Sequence, residues 1–286
     1  MKYLRYVTVC LLTLVVAFKI STLNAQSLWV KPLEEEGLGV EWLKYMDESD
    51  SQPAFLNSAV FVKGKKKVSS TIYAVGELPI SHYRRYNTHT TIGNIYLGAE
   101  WYMGRQEKSF GSISSMIEAG IRLPTLPTPE YPDSRGYVPG RIVTIERSGA
   151  FIDSYIPTHF KYNFISDIND HIILRLRAGF SYWIFQANKF PQNVNAEDIG
   201  FLHYGGKIEF QRGVIFASVG YLARNNVSDD YIFDGNIYRE RSTVNETSFQ
   251  IEYLSSQKFK PGIYLKLPSD NHGIDTIYGI TAEFTF

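Results

Sequence analysis

The sequence predicts an all-β fold, a single antiparallel up-and-down transmembrane β-barrel of about twelve strands. Long segments alternate apolar and polar residues with a period of two. Aromatic residues are abundant, with 20 Tyr and 18 Phe among 286 residues, and these side chains favour strands over helices. After Phe18 no apolar stretch approaches the ~20 residues that a membrane-spanning helix needs. A helical membrane protein is therefore excluded.

The N-terminus has the pattern of a secretory signal peptide. Lys2 and Arg5 precede the apolar run Val7–Phe18, and a plausible cleavage site follows Ala25. The apolar run is shorter than the ~20 residues of a membrane anchor, so we expect export with residues 1–25 removed.

The mature chain, residues 26–286, is expected to form one barrel domain. The only cysteine, Cys10, lies in the signal peptide, so the mature chain has no disulfide or thiol chemistry. Cleavage removes three of the 29 basic residues and none of the 29 acidic ones, leaving 26 against 29. This balance gives no reason to expect nucleic acid as a partner.

The alternation is plainest in the final segment, "IYGITAEFTF" (277–286). One face carries Tyr278, Ile280, Ala282, Phe284 and Phe286, and the other carries Gly279, Thr281, Glu283 and Thr285. A soluble β-sandwich also alternates, but ordinary strands have about five or six residues and tilted membrane-crossing strands about nine to eleven. The segments here run ten to fifteen residues and their apolar faces end in aromatics, which favours a closed barrel in lipid.

Twelve strands are predicted, an even number that suits a bacterial single-chain barrel. They cover residues 39–46, 56–63, 69–80, 91–103, 112–122, 151–165, 171–185, 200–211, 214–224, 243–256, 261–267 and 274–286. Short connections alternate with longer ones, as they do between the two rims of such a barrel. The longer connections are 47–55, 81–90, 123–150, 186–199 and 225–242.

The longest connection, residues 123–150, holds five prolines and cannot form a central strand. Loops longer than about fifteen residues are usually functional or disordered. Two readings stay open: a lid that folds over the mouth or into the lumen, and a mobile surface loop.

Charged residues of both signs lie on the predicted lumen faces of the strands. The predicted lining residues are Glu100, Glu118, Arg122, Lys161, Arg175, Arg177, Lys207 and Glu209, and the same faces carry Glu77, His159, His203, Glu252, Lys266 and Glu283. We expect Arg175 and Arg177 near Lys207 and Glu209, and Glu100 near Glu118 and Arg122. They form either a selectivity ring or binding site for a polar solute, or a charge ladder that fills a narrow barrel.

The sequence indicates no enzyme. An outer-membrane lipase needs a serine and a histidine within hydrogen-bond reach, and Ser81-His82 and Asn271-His272 lack the His-x-Ser-Asn-Gly run of that class. We assign no catalytic residue, no metal ligand and no cofactor.

Two stretches resemble a known family. "STIYAVGELPISHYRRYNTHTTIGNIYLGAEWYMG" (70–104) has a strand that ends in Glu-Leu-Pro and a later Gly-Asn-hydrophobic strand, and "MIEAGIRLPT" (116–125) ends in Leu-Pro-Thr before a long loop. This order resembles the MetA-pathway of phenol degradation family of outer-membrane barrels. Asn94 stands where an Asp is commoner, and Ile80-Ser81 replaces an aromatic residue. The resemblance implies an outer-membrane channel for small hydrophobic or aromatic compounds, without catalytic residues.

We therefore expect a barrel of the bacterial outer membrane that lets a small solute of unknown identity cross passively. The alternative is a non-transporting barrel with a salt-bridged lumen that serves a structural or surface-interaction role. Its partners would be outer-membrane lipid and the barrel-assembly machinery, which recognises the C-terminal strand and its last residue, Phe286.

Deletion of Phe286 is expected to impair insertion into the outer membrane and to leave secretion intact, because the terminal aromatic is the predicted assembly signal and the signal peptide is untouched. Cell fractionation with immunoblotting measures both steps. Normal insertion of the shortened chain would contradict the prediction.

Overall fold

The structure is a computed structural model, and it describes residues 36–47, 55–84, 88–108, 111–125, 149–151, 155–186, 198–228, 231–233, 236–238, 243–254, 259–269 and 274–285. In chain order the strands are β1 Gly37–Asp47, β2 Phe55–Lys67, β3 Ile72–Arg84, β4 Thr88–Ile92, β5 Tyr96–Lys108, β6 Gly111–Arg122, β7 Tyr155–Asn169, β8 Ile172–Phe185, β9 Ile199–Arg212, β10 Ile215–Asn226, β11 Tyr231–Phe233, β12 Asn236–Tyr238, β13 Thr243–Tyr253, β14 Phe259–Ser269 and β15 Ile274–Thr285. No helix within these ranges is long and apolar enough to cross a membrane.

Strand pairing closes the sheet into a barrel. Apart from β4, β11 and β12, each strand pairs antiparallel with the strands before and after it in the chain, and β1 pairs with β15, from Gly37↔Thr285 to Met46↔Thr276. The short β4 pairs only with β3, and β5 continues along the same neighbour. β4 and β5 therefore occupy one strand position of the barrel wall, here called a stave, and the barrel has twelve staves. The pair β11–β12 is a separate hairpin between β10 and β13.

The wall has an apolar outer face because alternate residues of each strand point outward. Exposed large apolar side chains occur around the whole circumference. They include Leu38, Val40, Leu97, Trp101, Phe160, Phe180, Ile208, Val219, Ile251, Ile263, Leu265 and Ile280. Such a surface suits hydrocarbon, and closure leaves no unpaired strand edge in it.

The predicted fold class and the count of twelve are confirmed, and most differences concern the ends of strands. The connection predicted at 81–90 is wrong, because β3 runs to Arg84 and β4 starts at Thr88. The strand predicted at 91–103 is interrupted at residues 93–95. The strand predicted at 151–165 starts only at Tyr155, since residues 149–151 form a turn. Phe286 lies outside the described residues.

Ile263→Arg is expected to destabilise the barrel by about 2–4 kcal/mol, the cost of an arginine on the lipid face near the bilayer midplane. Ile263 is near the middle of β14 and is 59% exposed on the outer face. Denaturant unfolding in lipid vesicles measures the change. The control Ile263→Leu should cost less than about 1.5 kcal/mol, and equal stability of the two variants would argue against a lipid-facing wall.

Candidate functional site in the barrel interior

The structure places every lining residue named above inside the barrel. Each of the fourteen is buried, with 9% exposure or less, and each alternates along its strand with an outward neighbour. Glu41, Lys65 and Glu246 are further buried charges that the sequence analysis did not single out. Alternation within the predicted strand 243–256 puts Glu246 on the face of Glu252, so the sequence pattern contained that signal. Lys65 lies beyond the predicted end of the second strand, which in the structure continues to Lys67.

Glu118 of β6 is the centre of one interior cluster. Its carboxylate accepts a hydrogen bond from Lys161 Nζ at 2.9 Å and lies 3.6 Å from Arg177 Nη2. Tyr96 donates its hydroxyl to the same carboxylate at 3.0 Å. The cluster joins strands β5 to β8 across the lumen face, and Glu100 lies directly opposite Glu118 in the register, as expected.

Arg122 pairs differently from the expectation that placed it with Glu100 and Glu118. Its Nη2 donates to Glu77 Oε1 at 2.8 Å, and its Nη1 donates to the backbone oxygen of Asn94 at 3.1 Å. The guanidinium also lies 5.4 Å from the ring centre of Tyr96. Arg122 therefore ties the charged interior to the break between β4 and β5.

A second cluster lies on β8 and β9. Glu209 forms ion pairs with Arg175 Nε at 2.7 Å and with Lys207 Nζ at 3.1 Å, in the neighbourhood that the sequence predicted. Lys207 also donates to Gln250 at 3.3 Å, and Gln250 donates to Glu252 at 2.6 Å. The cluster thus extends along the inner face of the wall from β8 to β13.

Two further ion pairs of the described interior lie outside these clusters. Lys65 lies 2.7 Å from Glu100 and also contacts the hydroxyl of Tyr102. Lys266 lies 2.9 Å from Glu246.

The buried interior charges are nearly balanced. Among the described residues, seven Lys or Arg and eight Glu are buried. Pairing is required, because a buried ion without a partner costs several kcal/mol. The described lining therefore carries almost no net charge.

An apolar cluster occupies another part of the lumen. Its wall members are Leu43, Ala59, Phe61, Tyr264 and Ile277, on β1, β2, β14 and β15, and they are joined by Ala150 and Phe151 from the end of the Pro-rich loop. The rings of Phe61 and Phe151 are 6.0 Å apart between centres. The described end of this loop therefore lies inside the barrel, which agrees with the lid reading for these residues.

Both ends of the Pro-rich loop bind the break between β4 and β5. On the outgoing side, Thr125 Oγ1 donates to Gly93 O at 2.7 Å and accepts from Ile95 N at 3.0 Å. On the returning side, Asn94 N donates to Ala150 O at 2.6 Å. We call residues 93–95 the clamp. The amides of Asn94 and Ile95 donate to the loop, whereas that of Gly93 still donates to Pro79 O of β3, so the ladder is interrupted after Gly93.

Aromatic residues form an inward patch on β7, β8 and β9. The patch consists of Tyr155, Trp183, Ile199 and Phe201, with Phe185 packed against it. The guanidinium of Arg224 lies 4.5 Å from the ring centre of Phe201. The indole nitrogen of Trp183 is buried and has no hydrogen-bond partner in the described part of the chain. An aromatic molecule with a hydrogen-bond acceptor would be complementary to these rings and to the indole N–H.

Two serine–histidine pairs in the described residues differ in their geometry. Ser81 and His82 are consecutive in β3, so their side chains point to opposite faces. His159 Nδ1, however, lies 2.7 Å from Ser181 Oγ inside the barrel, a contact between β7 and β8 that sequence spacing did not reveal. His159 Nε2 has no hydrogen-bond partner among the described residues, so no carboxylate orients the ring as a catalytic triad requires. Asn271 and His272 lie outside the described residues.

No protein-family model and no curated protein matches the sequence. Among solved structures, the fold is similar to an outer-membrane channel from Pseudomonas putida F1, with a TM-score of 0.59, 9% identity, and coverage of 94% of this chain and 100% of that one. It is also similar to the NanC porin, with a TM-score of 0.54, 10% identity, and coverage of 87% and 100%. At this identity the likeness concerns the fold: the chain has a barrel of the kind found in outer-membrane channels and porins.

One charged residue at the rim offers a contrast to the interior. Glu36, just before β1, accepts a hydrogen bond from Lys67 N at 2.8 Å, and this bond, helped by the nearby charge of Lys66, lowers the pKa of the Glu36 carboxyl. Water reaches this site and screens its charges.

Glu118→Gln is expected to destabilise the barrel by about 3–5 kcal/mol, because Lys161 and Arg177 would lose the carboxylate that they share in a buried site. Denaturant unfolding in lipid vesicles measures the loss. The matched variant Glu36→Gln, at the solvated rim, should leave stability unchanged. A neutral effect of Glu118→Gln would mean that water solvates the cluster.

Proposed function

We propose that the chain is a passive channel of the bacterial outer membrane, through which small solutes cross along a narrow, charge-lined lumen. The observation that carries the proposal is the two-faced closed wall, apolar outside and charged inside. A solute that follows the lumen would meet polar side chains in place of lipid.

The energetics of the interior support a functional lining. Replacing a buried ion pair by apolar residues of similar volume is often neutral or stabilising, so buried salt bridges are weak contributors to stability. A barrel that served only as a scaffold would hold together as well with an apolar core. The fifteen charges buried among the described residues are therefore not explained by stability alone, and a role in admitting ions and polar solutes accounts for them.

We propose the lipid partner and the assembly route on the basis of the same wall. Outer-membrane lipid would contact the apolar outer face, and the barrel-assembly machinery would bind the C-terminal strand β15 and Phe286. The expected signal peptide, residues 1–25, would deliver the chain to the periplasm and be cleaved there.

We propose small hydrophobic or aromatic compounds as the solutes. The inward aromatic patch supports this, since Tyr155, Trp183 and Phe201 offer ring faces and the Trp183 indole N–H offers a hydrogen bond. The resemblance to the MetA-pathway of phenol degradation family points the same way.

The second candidate is a non-transporting barrel with a structural or surface-interaction role. Its supporting observation is the close packing of the interior, where ion pairs such as Lys65–Glu100 and Lys266–Glu246 are almost wholly buried. In this reading the charges fill the lumen and nothing passes.

Planar-bilayer conductance separates the two candidates. We expect stepwise ionic currents from the purified barrel, or from a variant that lacks residues 126–148, because a polar lining admits water and ions. A barrel that stays tight to ions in both forms would overturn the channel and favour the second candidate.

The same currents test the solute class. Benzyl alcohol, added as a soluble aromatic probe, should interrupt the current, and Trp183→Phe should weaken the interruption by removing the indole N–H. Trp101→Phe, the same change on the outer face, is the control. Equal interruption in both variants would contradict a role for the patch.

A further inference from the structure

We propose that Gly149–Phe151 is an internal plug, which gates the lumen by docking on the clamp and releasing from it. The inference rests on the proposed channel and concerns its regulation. The plug is an element of this chain that lies inside the barrel, packed against residues of the wall.

The position of the plug places it across the lumen. Gly149 lies against Pro157 of β7, since a Cβ added at this glycine would meet Pro157 Cγ at 2.4 Å. Two residues later Phe151 packs on Phe61 of β2, in the cluster that includes β14 and β15. The three residues thus extend from one side of the wall towards the opposite side, and both Ala150 and Phe151 are fully buried.

The clamp binds the plug through the backbone of the plug. Asn94 donates its backbone N–H to Ala150 O at 2.6 Å and its side-chain Nδ2 to Gly149 O at 3.0 Å. Gly93 leaves no room for a side chain, because a Cβ there would meet Ala150 O at 2.3 Å and Phe151 Cδ1 at 2.5 Å. Gly149 itself has a φ of 92°, a conformation that glycine adopts without strain.

The contacts that hold the plug are of a reversible kind. Those described are two hydrogen bonds from Asn94, the contact of Gly149 with Pro157 and the packing of Ala150 and Phe151 in the apolar cluster, and the plug itself has no charged side chain. Release therefore separates no ion pair. A docked and a released state of comparable free energy is the arrangement that a gate needs.

The clamp also connects the plug to the charged interior. Arg122 donates to the backbone oxygen of Asn94 and to Glu77, so the residue that binds the plug is itself held by an ion pair of the lining. A change in the Arg122–Glu77 pair would reach the plug through a single residue.

Point variants test the gate in planar bilayers. Phe151→Ala removes the packed ring, and Gly93→Ala pushes a Cβ into the plug. Each should raise the open probability about tenfold or more, a factor that corresponds to ~1.4 kcal/mol at 25 °C. Gly64→Ala is the matched control, because its Cβ would meet only Leu38 Cδ2 at an ordinary 3.6 Å. The heat-dependent gel mobility of folded barrels shows whether each variant has assembled.

A labelling experiment follows the plug directly. Cys10, the only cysteine, lies in the predicted signal peptide, so Ala150→Cys gives the mature chain a single thiol. A water-soluble maleimide should label this thiol slowly in the otherwise unchanged barrel and much faster when Gly93→Ala is added.

The outcomes separate the gate from the channel. Conduction that is equal in the wild type and all three variants, or fast labelling of Ala150→Cys without Gly93→Ala, would overturn the plug and leave the channel standing. Barrels that stay tight in every variant would overturn both. Raised currents in Phe151→Ala and Gly93→Ala, but not in Gly64→Ala, would support the gate.

Discussion

The pairing of β1 with β15 is the constraint on which the rest of the structure depends. It joins Gly37 to Thr285 and continues along both strands, so within the described strands the sheet closes and its backbone groups do not face lipid unpaired at this seam. It also fixes which side chains point inward. A slip of one residue would turn Glu41 and Glu283 towards hydrocarbon and bring Leu38 and Phe284 inside.

The sequence predicts the wall well because lipid and lumen impose opposite demands on alternate residues. Glu118 and Arg175 each stand between apolar neighbours, and this local pattern is enough to assign their faces. The partners of these charges are harder to predict. Arg122 pairs with Glu77, two staves away, because closure and side-chain reach bring non-adjacent strands together. No local pattern contains that information.

The interruption of the fourth stave escaped prediction for a related reason. The residues around Gly93 look like a strand, and what ends the ladder is a hydrogen bond to Ala150, far along the chain. The two short motifs behind the family resemblance meet at this place. Asn94 forms a hydrogen bond with the returning end of the loop at Gly149. Thr125, the end of Leu-Pro-Thr, is the outgoing end of the loop and donates to Gly93 O. The spacing of these motifs thus reflects one contact in space.

The clamp has a consequence for how such a chain can change over time. Thr125 and Gly149 flank residues 126–148 in the chain, and both form hydrogen bonds with the same three residues. Each doubling of a loop whose ends are already held together costs only about 0.6 kcal/mol in closure entropy. Insertions, deletions or replacement of the whole segment should therefore be tolerated, while the strands of the barrel keep their register.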